Sequence, residues 1–192
     1  MTDPRPEVLD FLLTRRSRSP KTLGFPVPDD ARLKVLLTAA ARSPDHGVLV
    51  PWRFIVLRDA ALTRLSGAVM ARAAALGMDE AAVEKAGLTF KTSPLAVAVI
   101  SSPKDSPKVP VIEQHMSAGS VCYALVNAAL ADGWDAGWVT GFTALDGEFL
   151  TRELGLAEGE FVAGYVHIGT AALTPPDRPR PDLDAITTWV DE

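Results

Sequence analysis

The chain has 192 residues, 47% of them apolar and 22% charged, with a formal net charge of −5 at pH 7. That composition specifies a folded chain with a core rather than a disordered one, and the acidic balance disfavours nucleic-acid binding, which needs a basic face. A single cysteine, Cys122, excludes an internal disulfide, and no apolar run reaches the roughly 18 residues of a membrane span. Asp3 and Glu7 precede the short apolar Val8–Leu13 run, the wrong order for a secretory signal, so a cytoplasmic protein is expected.

In chain order, Glu7–Thr14 reads as a short helix and Leu23–Pro28 as a turn-rich connector. Asp29-Asp30 offers an N-cap and a first-turn acid to a helix in which Leu33, Leu36, Leu37 and Ala40 recur at helical spacing. Ser43-Pro44 stops it, because proline disfavours helix in the residue before it. Arg53–Arg58 reads as a strand, followed by alanine-rich helices at Ala60–Leu76 and Asp79–Leu88. The apolar run Leu95–Ser101 predicts a buried central strand. Glu113–Ala131 is the longest helical pattern, ended near Asp132-Gly133. Trp134–Thr140 is strand-like, Leu145–Leu154 a helix closed by Gly155, and Phe161–Ile168 the last strong strand. The proline-rich tail Thr174–Pro181 is expected to run extended over a surface. Without repeats, linkers or a second core, residues 1–192 form one expected domain of helices flanking a mixed sheet.

Cations concentrate early in this acidic chain: Arg15-Arg16-Ser17, then Arg42-Ser43-Pro44-Asp45-His46 and Pro51-Trp52-Arg53-Phe54. Cations held near a core call for an anion. No G-x-G-x-x-G, P-loop, C-x-x-C, H-E-x-x-H or G-x-S-x-G motif offers another chemistry, and no metal site is expected. Glu113 and His115 share a helix start but lack metal-site spacing, Cys122 lies in an apolar helical run as a small core residue, and Trp52 and Phe54 read as core.

An ordered set of motifs covers nearly the whole chain: Arg15-Arg16-Ser17 after the first helix, Ala41–His46 before Pro51-Trp52-Arg53-Phe54, Ser93-Pro94 opening a strand, and Lys108-Val109-Pro110 with Glu113-Gln114 and Met116–Gly119 at the long helix. Gly137–Gly141 and Tyr165–Thr170 complete it. In this the sequence resembles the nitroreductase family of FMN-dependent enzymes, in particular its short NAD(P)H nitroreductase branch. The resemblance implies an α+β fold, a three-layer α/β/α arrangement with a mixed central sheet, in an intertwined homodimer with two FMN sites at the interface.

By matching positions, the resemblance assigns Arg15, Arg16 and Ser17 to the FMN phosphate and ribityl chain, and Arg42 and His46 to the same cofactor from the other subunit. Trp138, Val139 and Thr140 would line the isoalloxazine, with the Thr140 and Gly141 backbone near its N5. The stretch Ala128–Gly133 matches one that meets the nicotinamide. The implied activity is ping-pong transfer from NAD(P)H through flavin to a small oxidant, a nitroaromatic, a quinone or similar, with no catalytic side chain required. Two alternatives stand beside it: a flavin-binding dimer without turnover, acting as sensor or carrier, and a different flavin reaction on the same fold. One departure is plain. Relatives carry polar residues before the Pro-Trp pair, and this chain has Val48-Leu49-Val50, leaving backbone amides as the local donors to a flavin.

Overall fold

The structure is a computed structural model and describes residues 3–191. Five strands, β1 (Leu23–Gly24), β2 (Trp52–Arg58), β3 (Leu95–Ser101), β4 (Asp135–Val139) and β5 (Phe161–Ala171), make one sheet. Around it lie α1 (Pro6–Thr14), α2 (Asp30–Ala40), α3 (Asp59–Ala75), α4 (Glu80–Lys91), α5 (Val111–Ala131), α6 (Gly147–Leu154) and the single turn α7 (Leu183–Ile186). Strand β5 runs between β3 and β4, β2 borders β3, and β1 joins the far end of β5.

Every strand pairing among the described residues is antiparallel, which corrects the expected mixed sheet at the level of one chain. The cause is topological. Helices α3 and α4 pack together as a hairpin that returns the chain to its starting end, so Leu95 at the start of β3 faces Arg58 at the end of β2. Helix α5 then carries the chain from β3 to β4, which share a direction but are separated by β5. No parallel neighbours result.

Strand β3 explains the three layers, because all seven of its residues are buried. Leu95, Val97 and Val99 join the core under α2 and α5, while Ala96, Ala98 and Ile100 join the core under α3, α4 and α6. A strand covered on both faces reads as an unbroken apolar run. Three of the helix starts described are capped by acids in the same way. Asp29, Asp79 and Asp146 accept the N–H of Arg32 (2.7 Å), Ala82 (2.8 Å) and Phe149 (2.8 Å). The Asp146 cap begins α6 at Gly147 rather than Leu145, and Gly155 ends it with φ 64°, in the left-handed region.

Some apolar surface has no cover within the chain. Helix α1 buries none of its residues, and Leu9 and Leu13 are 60% and 68% exposed. On α5, Ile112, Met116 and Tyr123 also face outward. No helix among the described residues is long and apolar enough to cross a membrane.

Candidate functional site

The arginine segment is stapled to the outer edge of β4. Arg18 donates its backbone N–H to the Ala136 carbonyl (2.8 Å), and its Nε reaches Asp135 Oδ1 (2.7 Å). The other oxygen of Asp135 accepts the Ala171 N–H (2.8 Å), tying the staple to β5. The approach is so close that a Cβ at Gly137 would overlap the Arg18 carbonyl oxygen. Glycine is therefore required there by the segment that carries the cations.

Three groups of that segment, Arg15, Arg16 and Ser17, form a candidate cradle for an oxyanion. Arg15 Nη2 donates to Ser17 Oγ (2.8 Å), its guanidinium sits 6.0 Å from the Tyr123 ring centroid, and its Nε is buried with no acceptor. An orphaned buried N–H beside a cation is the donor that a bound anion satisfies. Arg16 already holds oxygens, since its Nη1 donates to the Pro176 carbonyl and to Asp177 Oδ1 (3.1 Å) in the tail. Asp177 is in turn gripped by Arg180 Nη2 (3.3 Å) and the Arg178 N–H (2.8 Å), which hold its carboxyl below the usual carboxylate range. The tail thus brings Arg180 to the carboxylate that Arg16 holds. Alongside, Arg15, Arg16, Arg18, Leu130, Gly133 and Trp134 line a groove of about 300 Å³, so part of the Ala128–Gly133 stretch lies at this same end.

The same edge leads to Trp138, Val139 and Thr140. Trp138 is 41% exposed, and its indole lies across β5 where Gly164 leaves room, with Nε1 donating to the Ala163 carbonyl (3.2 Å). Val139 packs against the core beneath α3, α4 and α6. Strand β4 stops at Val139, and Gly141 turns the chain at φ 120°. Thr140 and Gly141 line a cavity of about 240 Å³ between this corner and the α3–α4 hairpin.

Arg42 and His46 lie elsewhere. His46 Nδ1 is 2.7 Å from Glu113 Oε2 at the start of α5, and Ser117 Oγ donates to the Pro44 carbonyl (2.7 Å) one turn on. Leu130, beside the arginine cradle, is 17 residues after Glu113 on the same helix. At 1.5 Å per residue Leu130 lies about 26 Å beyond Glu113 along α5, and Tyr123, the ring beside Arg15, about 15 Å beyond it. The exposed Arg42 side chain makes no hydrogen bond or ion pair among the described residues.

The Val48–Val50 loop departs from what its amides suggested. Asp45 takes the Leu49 and Val50 N–H groups on its carboxylate (3.1 and 2.8 Å) and the Val48 N–H on its carbonyl (3.3 Å). These amides are thus spent on the loop itself. Val48 and Val50 sit at φ 54° and 49°, unfavourable for β-branched residues, and Val48 is 83% exposed.

Other candidates resolve into structural roles. Arg53 forms a two-pronged pair with Glu160 (2.9 and 2.7 Å), so its charge is consumed. His115 bonds Ser101 Oγ (2.9 Å) while Glu113 turns to His46, and among the described residues no cluster of acids, histidines and cysteine could hold a metal. Burial pushes the Cys122 thiol up to about 12, which leaves it protonated and inert. Arg18, Asp135 and Asp177 escaped the sequence reading, and Gly137 was picked out only as part of the Gly137–Gly141 motif, without this role. Only Gly137 carried a local signal, as a glycine between two strand-forming residues.

The comparisons with known proteins agree on one family. The family described as "Nitroreductase family" matches residues 14–170. The Escherichia coli K12 protein named "Putative NAD(P)H nitroreductase YdjA" is 34% identical over 168 residues, covering 87% of this chain and 90% of the relative. A nitroreductase-like family protein from Bacillus cereus superposes with a TM-score of 0.81 at 20% identity over the full length of both chains. A Bacteroides fragilis nitroreductase with bound FMN superposes with a TM-score of 0.73 at 22% identity over 96% of this chain and 99% of that one.

Proposed function

The chain belongs to the nitroreductase family, and from that premise we propose that it is an FMN-dependent NAD(P)H oxidoreductase working as a homodimer. The observation that carries this reading is the oxyanion cradle, with its buried, unpartnered Arg15 Nε, stapled to the strand that ends at Thr140-Gly141. The residues fit the group. Arg15, Arg16 and Ser17 would hold the FMN phosphate, with Arg178 and Arg180 adding charge from the tail once Asp177 yields Arg16. Trp138, Val139 and the Thr140-Gly141 corner would flank the ring system. When bound, FMN supplies a two-electron carrier that takes hydride from NAD(P)H and passes electrons to a small oxidant, a nitroaromatic or a quinone.

Two copies would complete the site. His46 sits at Glu113, about 15 Å along α5 from the Tyr123 that Arg15 flanks, and the family resemblance gives Arg42 and His46 to the cofactor of the other subunit. The exposed apolar residues of α1 and α5, with the strained Val48, would supply the contact.

The tests are direct. Purified protein carries or takes up FMN, and NAD(P)H bleaches it without oxygen; a protein that ignores added FMN refutes the reading. Arg16→Ala weakens FMN binding at least tenfold. A mixed dimer of one Arg16→Ala subunit and one Arg42→Ala subunit keeps one site intact of two, because both defects fall in the other site. If each site were built within one chain, neither would bind normally. A second reading, flavin binding without turnover, is favoured by the Leu49 and Val50 amides that Asp45 occupies. It predicts bound FMN that neither nicotinamide reduces.

A further inference from the structure

We propose that the cavity behind Thr140-Gly141 receives the oxidant and that Lys85 selects one with an anionic substituent on an apolar ring, an aromatic carboxylate. The inference rests on the flavoenzyme reading, which sets the reacting end of the cofactor at this corner.

The cavity's shape limits the guest. Its volume of about 240 Å³ exceeds the roughly 150 Å³ that accepts a benzene ring, so one substituted ring fits and a dinucleotide does not. Its walls are mostly apolar, with Val69 from α3, Ala82, Ala86 and Phe90 from α4, and Phe142 from the corner, while Thr89, Thr140 and Thr143 are uncharged polar residues among them. Ring burial against such walls gives affinity without direction.

Direction comes from one group. Lys85 is the sole charged residue lining the cavity, and it makes no ion pair among the described residues. Its helix neighbours three and four positions away are Ala81, Ala82, Leu88 and Thr89, so no acid on α4 is spaced to neutralise it. Ala82, Ala86, Thr89 and Phe90 turn the same face of α4 to the cavity, which sets the ammonium at the rim of an otherwise uncharged wall. A carboxylate on the buried ring would meet that ammonium with the ring itself against Phe90 and Phe142.

The test compares 4-nitrobenzoate with nitrobenzene, which share ring and nitro group and differ in charge. With FMN-loaded enzyme and saturating NAD(P)H, Lys85→Met should lower kcat/KM for 4-nitrobenzoate about tenfold and change that for nitrobenzene less than twofold. Lys85→Arg should restore the preference. FMN affinity and the KM for NAD(P)H should not move. An equal loss for both oxidants, or no loss for either, overturns the proposal. A raised KM for NADPH alone reassigns the lysine to the nucleotide and overturns it as well. Calorimetric binding of 4-nitrobenzoate to wild-type and Lys85→Met protein gives a readout that needs no turnover. If the protein binds no FMN, the flavoenzyme reading fails, while equal binding by both proteins defeats the Lys85 assignment by itself.

Discussion

His167 makes a quantitative prediction about pH. It lies at the centre of β5, fully buried, opposite Ala96 on β3 and Gly137 on β4, with the Phe90 ring 6.0 Å away. Neither ring nitrogen has a hydrogen-bond partner among the described residues. Burial penalises the charged form and pushes its pKa from the ordinary 6.5 down to about 4. The folded protein therefore keeps a neutral imidazole where the unfolded chain takes up a proton. Stability from this site is complete above pH 6.5 and is lost as pH falls towards about 4. At 1.36 kcal/mol per unit, the gap amounts to about 3 kcal/mol, a large fraction of the 5–15 kcal/mol of a typical domain. Urea unfolding followed by tryptophan fluorescence at pH 7, 6, 5 and 4.5, at fixed protein concentration, measures it. His167→Phe should flatten the decline across this window and raise stability at pH 7, because it also removes two unpartnered polar atoms. His167→Gln, polar but not titrating, checks the first effect separately from packing. Equal pH slopes in wild type and both variants would refute the assignment.

Three further outcomes are expected. Gly137→Ala should displace the Arg18 backbone from Ala136, cost about 1–3 kcal/mol in thermal unfolding, and weaken FMN binding more than tenfold in a fluorescence titration. Asp177→Asn should tighten FMN several-fold by removing the carboxylate that occupies Arg16, without altering binding of riboflavin, which lacks the phosphate; equal changes for both ligands would contradict the shared site. The Arg53 guanidinium holds the Glu160 carboxyl down to about 2 from 4.5, so this pair stabilises the fold above pH 4.5 and releases it between 4.5 and 2. Glu160→Gln should remove that acid limb in circular-dichroism titrations and leave the His167 window unchanged.

Much of the fold was legible because its signals are local. The unbroken Leu95–Ser101 run announced a strand covered on both faces, and Asp29 marked a helix start that the structure caps as expected. The strand order was not legible, since the antiparallel return of β3 depends on how α3 packs on α4. The two residues of β1 carry no pattern of their own and become a strand only by pairing with Thr170 and Ala171. The cradle was partly legible. Arg15-Arg16-Ser17 stood out by charge, but the groups that fix it come from Asp135, Gly137 and Asp177, more than a hundred residues away. Arg53 was misleading in the same way, for its partner Glu160 is 107 positions distant.

The separation of the two cation clusters has an energetic corollary. On the proposed reading, a cofactor held by Arg15–Ser17 of one subunit and Arg42 and His46 of the other would bridge the interface and bind the dimer rather than the isolated chain. Linkage then requires that FMN strengthen association: at a hundredfold excess over its Kd, each site adds about 2.7 kcal/mol to dimer stability. Two sites with that term lower the apparent dissociation constant of the dimer by roughly four powers of ten. Sedimentation of apo and FMN-saturated protein across a dilution series would read this directly. Arg42→Ala separates the bridging contribution from simple stabilisation of one subunit, because it leaves the Arg15–Ser17 cradle untouched. It should retain most of the phosphate contact and lose much of the FMN-dependent tightening of the dimer. Equal tightening in wild type and variant would mean that the cofactor is held within one chain, and the exposed apolar faces of α1 and α5 would then associate for reasons unconnected with the flavin.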